Sequence, residues 1–269
     1  MTRLTEYAGL NVVITGASSG IGRLLALRMA AAGARIALVA RRERELEAVA
    51  AEIRGGGGQA DVIPCDVSDR ESALAAAEGA SEVLGGVDVL VNNAGFGHHR
   101  PFLDWTIEEM EDLMQVNFMG SLYFTKALLP AMVERGSGWL VFVASVAGKI
   151  APADETIYAA SKHAMVGLAS SLSLEVEDAG VHILTVCPGA IRTPFFDEEA
   201  LERLPQVARR QMAEPGDLVD AIMVALAKGK REITFPKWIA SGYIAQALAP
   251  GFTREQVKKQ TLVDPSKDP

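Results

Sequence analysis

Apolar and polar residues along the chain fall into blocks whose period switches repeatedly between that of a strand and that of a helix. Residues 11–14 form a short apolar run that stops at Thr15-Gly16, and residues 35–40 (Arg-Ile-Ala-Leu-Val-Ala) form a second, nearly continuous one. Unbroken apolar runs of this length predict strands covered on both faces of a parallel sheet. Between them residues 22–32 read as helix, with Ile21, Leu24, Leu25, Leu27 and Met29 supplying apolar bulk and Gly33 ending it. The alternation continues with helix over 43–53, strand over 60–65, helix over 69–84 and strand over 87–91. Longer units follow: helix over 107–134 in two segments, strand over 139–144, helix over 156–177, strand over 181–186, helix over 217–227 and a short strand over 232–235.

This order predicts an α/β chain with one doubly wound parallel sheet, helices on both faces. No shift in composition marks a linker, so residues 1–269 are read as a single domain. Three segments depart from the alternation: 96–105, 191–212 and 237–262. Excursions beyond the carboxyl ends of parallel strands enclose ligands, so a substrate loop is expected around 190–215 and a C-terminal extension around 237–269. That extension could cap a pocket, bury at a subunit interface or lie on a membrane. Lys228, Lys230, Arg231 and Lys237 keep the membrane-surface option open without favouring it. Residues 264–269 are expected to fray.

Charge narrows the partners. Twenty-six basic against 34 acidic side chains give a net charge of -8, which argues against non-specific nucleic-acid binding. The first residues lack the apolar core of a signal peptide, and no apolar run approaches the ~20 residues that span a bilayer. Cys65 and Cys187 have no ligand spacing around them and read as buried thiols. A cytoplasmic setting and no metal are the expectations.

The turn Thr15-Gly16-Ala17-Ser18-Ser19-Gly20-Ile21-Gly22 joins the first strand to the first helix. Glycines in that position allow a tight turn, close approach of a pyrophosphate and close packing of the helix. The helix start adds free N–H groups and a positive dipole end. The turn therefore reads as a dinucleotide cradle. Folds of this kind that prefer the unphosphorylated cofactor usually carry Asp or Glu at the end of the second strand; here Ala40-Arg41-Arg42 stands instead. Arg41 can donate to a 2'-phosphate with no adjacent carboxylate to repel it, and Arg42 and Ser18 stand second to it. NADP is the expected cofactor, unless both arginines are merely surface charges at a helix start.

Tyr158 and Lys162 lie four residues apart in a predicted helix, on one face. A free phenol titrates near ~10, and a neighbouring cation favours its phenolate. Such a pair alone is common and mostly structural. Together with the glycine turn, Asp66, Asn92-Asn93-Ala94-Gly95, Asn117, Ser145 and Pro188-Gly189, however, it resembles the short-chain dehydrogenase/reductase family over residues 10–195.

That resemblance implies a Rossmann fold with a seven-stranded parallel sheet, assembled as a homodimer or homotetramer. It also implies that Ser145 hydrogen-bonds the substrate oxygen and Tyr158 exchanges the proton. Lys162 would hold the nicotinamide ribose hydroxyls and favour the deprotonated tyrosine, and Asn117 would order a water leading from Lys162 to solvent. Asp66 is assigned to the adenine ring, Asn92 to stabilising the sheet, and Ala94 and Gly95 to making room for the adenosine half. Ile191 and Thr193 would hold the carboxamide, with Ser19, Val67, Asn93, Pro188 and Gly189 completing the cofactor set.

Phe96, His98, Val146, Ala147, Ile150, Ala190, Ile191, Phe195 and Phe196 read as a mainly apolar pocket around Ser145, suited to a small-molecule carbonyl or alcohol. His98 and His99 stay outside the catalytic set as solvated or rim residues. The expected activity is NADPH-dependent reduction of a carbonyl compound. The alternatives are an NAD-dependent alcohol dehydrogenase and a catalytically silent nucleotide-binding sensor or scaffold.

Overall fold

A computed structural model describes residues 3–196, 200, 201, 204 and 209–261. Its centre is a seven-stranded sheet made of β1 (Asn11–Thr15), β2 (Arg35–Ala40), β3 (Gln59–Pro64), β4 (Val89–Asn92), β5 (Gly138–Val143), β6 (Val181–Pro188) and β7 (Glu232–Phe235). The strands run in the order β3-β2-β1-β4-β5-β6-β7, and every pairing is parallel. The helices are α1 (Gly20–Ala31), α2 (Glu43–Gly55), α3 (Arg70–Leu84), α4 (Ile107–Met114), α5 (Gly120–Arg135), α6 (Thr156–Val176), α7 (Pro215–Ala227), α8 (Ala240–Leu248) and α9 (Pro250–Thr261).

The pleat sorts the apolar runs between two cores. Val12, Ile14, Ile36 and Leu38 face Leu25, Met29, Leu46 and Ile222 of α1, α2 and α7. Val13, Ala37, Val39 and Leu90 face Ala77, Phe124, Leu128 and Met165 of α3, α5 and α6. Successive strand residues are thus all buried, which is why these strands read as unbroken apolar runs and not as alternating ones. The single-domain doubly wound sheet is the architecture the sequence predicts. The chain order reverses between β1 and β4, and the crevice at such a reversal opens at the carboxyl ends of the strands.

Local differences from the sequence reading have physical causes. The two helical segments expected over 107–134 are α4 and α5, and the joint between them is a π-helical turn at Gln115–Met119. β6 runs two residues past its expected end, through Pro188, which pairs with Phe235. A proline fits there because it closes the strand beside the short edge strand β7. The tail, read without elements, forms α8 and α9. Within the expected substrate loop, residues 197–199, 202, 203 and 205–208 lie outside the described residues, as do residues 262–269 of the expected extension and its fraying end. Among the described residues no helix is long and apolar enough to cross a membrane.

Candidate active site

The carboxyl ends of β1, β2, β4, β5 and β6 open into one cleft of about 930 Å³. At its floor lies the glycine turn. Gly16 has φ +67°, and a Cβ on it would come within 2.8 Å of Ala94 Cα. Gly22 lies behind the lining, where a Cβ would sit 2.5 Å from both Asn93 Nδ2 and Gly16 O. Its place against Asn93 closes the turn. The Asn93 amide donates to Thr15 O at 3.0 Å and Gly16 O at 3.3 Å, while Thr15 Oγ1 accepts from the N–H groups of Asn93 and Ala94 at 3.0 and 3.1 Å. The loops after β1 and β4 are therefore locked into one rigid cradle at the start of α1. Backbone this close, bare of side chains and facing a helix amino end, fits the phosphates of a dinucleotide.

The end of the cleft beyond β2 carries Arg41, Arg42, Asp66 and Val67. Arg42 donates to Ser18 Oγ at 3.0 Å and to Ser19 Oγ at 3.1 Å. It is thus tied to the glycine turn, whereas Arg41 projects into solvent, 67% exposed. The expectation that no carboxylate stands near Arg41 is corrected, because the fold brings Asp66 to 3.9 Å from it. Burial pushes the Asp66 carboxyl up, but hydrogen bonds from Ser68 and the Arg41 charge outweigh it and hold the group below its usual range.

Ser145, Tyr158 and Lys162 meet at the junction of the two halves of the cleft. Ser145 follows β5; its Oγ accepts from Ala147 N at 3.0 Å and reaches Pro188 O at 3.4 Å. Tyr158 lies in the first turn of α6, and burial raises its phenol above the ordinary range against the opposing pull of the Ser145 hydroxyl. Lys162, one turn on, is buried and donates to Val143 O at 3.0 Å. Desolvation pushes its ammonium down to about 8. Asn117 is fully buried in the π-helical turn and does not line the cleft. Its Oδ1 accepts from Phe96 N and its Nδ2 donates to Phe96 O, both at 2.9 Å, and Nδ2 also donates to Ser161 Oγ at 3.2 Å. The side chain clamps the loop that carries Gly95 and Phe96, a role the sequence reading did not assign. Asn92 is also buried, its amide bonded to Thr125 Oγ1 at 3.0 Å.

The other half of the cleft is mainly apolar. Phe96, His98, Val146, Ala147, Ile150, Ala190, Ile191, Phe195 and Phe196 all border the cleft, and Gly95, Pro188, Gly189 and Thr193 line it too. Phe195 tilts against Tyr158 with ring centres 5.8 Å apart. Pro152, Glu155, Val257 and Thr261, which the expected pocket did not include, also line the cleft, as do His99, read as a solvated or rim residue, and Trp238 and Ile239 of the tail, for which a pocket cap was one of the readings. Ile239 Cδ1 lies against Gly189, and Ala153 N donates to Thr261 Oγ1 at 3.1 Å, so the tail walls the apolar half. The aromatic and branched residues of 238–248 were the available signal for that wall. Among the described residues no cluster of His, Cys, Asp and Glu could hold a metal.

Comparison with known proteins agrees with this geometry. Residues 10–203 match the family model described as short chain dehydrogenase. The ketoacyl reductase HetN of a Nostoc species is 30% identical over 86% of this chain and 79% of its own. A metagenomic short-chain oxidoreductase solved in complex with NADP superposes with a TM-score of 0.73 at 32% identity, over 85% of this chain and 96% of that one. A short-chain dehydrogenase/reductase of Burkholderia phymatum in complex with NAD gives 0.84 at 27% identity, over 97% and 99%. The chain belongs to the short-chain dehydrogenase family, as an oxidoreductase acting on a CH–OH or C=O group.

Proposed function

We propose that the protein reduces a mainly apolar carbonyl compound to its alcohol with NADPH, Tyr158 delivering the proton. The observation that carries this reading is the convergence of Ser145, Tyr158 and Lys162 between an apolar pocket and a glycine cradle. When bound, the nicotinamide supplies the hydride. The chain supplies acid and oxyanion chemistry. Ser145 Oγ, oriented by Ala147 N–H, and the Tyr158 phenol offer two O–H donors to the substrate oxygen, where negative charge develops. Because burial holds the phenol above its ordinary range, it carries at neutral pH the proton that the nascent alkoxide takes. Lys162 can hold ribose hydroxyls, and when charged it stabilises the phenolate left behind. The rigid cradle of Gly16, Gly20 and Gly22 with Asn93 and Ala94 keeps the cofactor half in register with Tyr158.

NADP is supported by two guanidinium groups at the far end of the cleft, Arg42 bridging to Ser18 and Ser19 and Arg41 beside them. A phosphate there meets charge-assisted donors. Steady-state rates with NADPH and NADH test this: NADPH should be preferred by at least about tenfold in kcat/KM, and Arg41→Ala or Arg42→Ala should erode that preference. Equal or better efficiency with NADH rejects it. The alternative of an NAD-dependent alcohol dehydrogenase has one observation in its favour, the Asp66 carboxylate 3.9 Å from Arg41, which could take ribose hydroxyls; the same rates decide between them. Exposed Ile107 and Leu174 on α4 and α6 support assembly as a homodimer or homotetramer, and two buried, unpaired thiols suit a reducing, cytoplasmic setting.

A further inference from the structure

The apolar half of the cleft holds a polar pair that the proposed reaction leaves unused. His99 Nδ1 lies 2.9 Å from Glu155 Oε1, and the two side chains are only 8% and 16% exposed. Both residues border the cleft that contains Tyr158, among walls that are otherwise largely carbon. The imidazole is held flat against Phe196, with ring centres 5.8 Å apart and planes 25° from parallel. The Glu155 carbonyl begins α6 by accepting from Ala159 N at 2.7 Å, so Glu155 stands within one turn of Tyr158, and His99 is brought to it by the fold.

A buried polar pair of this kind contributes little to stability relative to apolar packing. Nor is it needed to anchor the loop. Arg100 N donates to Asp154 O at 2.8 Å, Arg100 pairs with Glu109 at 2.6 Å, and its guanidinium lies 4.1 Å over the Trp105 ring. With Nδ1 occupied by Glu155, Nε2 is the ring nitrogen left to a ligand, and it has no partner among the described residues. A neutral imidazole offers an acceptor there and a protonated one offers a donor. The oxygen group that satisfies both states is a hydroxyl.

We propose that His99, oriented by Glu155, binds a second oxygen of the substrate, so that the preferred substrates are apolar carbonyl compounds that also carry a hydroxyl group. This rests on the carbonyl-reducing reading of the same cleft. The test uses a medium-chain 2-alkanone and its monohydroxylated analogues with the hydroxyl at successive carbons. Binding to the protein without cofactor is measured by calorimetry, and turnover with NADPH and NADH is measured separately. At least one hydroxylated analogue should bind about tenfold more tightly than the parent. In His99→Phe, which keeps the stack on Phe196, the ratio should fall to near one, and in Glu155→Gln it should fall part of the way. Equal binding across the series, or a preference that His99→Phe leaves intact, overturns the proposal. Discrimination without turnover of any compound would uphold the subsite and reject the reductase reading; turnover without discrimination would do the reverse.

Discussion

The Lys162 ammonium lies 5.7 Å from the centre of the Tyr158 ring, one helical turn away, and its hydrogen bond goes to the carbonyl of Val143. Both groups are buried, and burial moves both towards their neutral forms, the phenol upward and the ammonium down to about 8. At neutral pH the protein alone thus holds a protonated phenol beside a lysine that is still mostly charged, which corrects the expectation of a deprotonated tyrosine.

Stability against pH should report the Lys162 shift. A lysine whose value falls from 10.5 to about 8 on folding weakens the fold wherever the unfolded chain would be protonated. The penalty is full below about 8 and vanishes above 10.5, so stability rises with pH across that window. Denaturant unfolding of the wild type and Lys162→Met, both without cofactor, should show the wild type gaining on the variant by on the order of 3 kcal/mol between those limits. Parallel curves would mean that the buried ammonium carries no such penalty.

Gly22→Ala should harm both fold and cofactor binding. Its Cβ would meet Asn93 Nδ2 and Gly16 O at 2.5 Å, forcing apart the two loops that form the cradle. A stability loss of about 1–3 kcal/mol, with weaker NADPH binding by fluorescence titration, is the expected result. Unchanged affinity would show that the turn tolerates the displacement.

Asn117→Ala removes the partners of both Phe96 N and Phe96 O, inside a loop bordering the cleft. Roughly 2 kcal/mol of stability should go with them, and turnover should fall because Gly95 and Phe96 lose their position. If turnover fell with no loss of stability, the side chain would be acting on the reaction and not on the loop.

Much of the fold was legible because covering a sheet on both faces leaves an unambiguous mark: Arg35–Ala40 contains five successive apolar residues, and the structure buries all five. The glycine turn was legible because few other residues permit its backbone. The site was legible only as far as residues near in sequence or in a known order could carry it. The Arg42 bridge to Ser18 spans 24 positions and the Arg41–Asp66 contact 25, and no local pattern announces which of two neighbouring arginines turns inward. The π-helical turn joins two stretches that each keep helical period, so the pattern announced two segments and not the wider turn between them. Trp238 and Ile239 could be seen as apolar, but what they cover depends on where β7 ends, and His99 gave no sign of Glu155, 56 residues away.

The most direct test of the account is the pairing of turnover with cofactor binding in Tyr158→Phe. The ring keeps its contact with Phe195 and loses only the hydroxyl, so NADPH should bind as in the wild type while the rate of carbonyl reduction falls by about 10²-fold or more. Turnover retained within a few-fold, with NADPH still bound, would contradict Tyr158 as the proton donor.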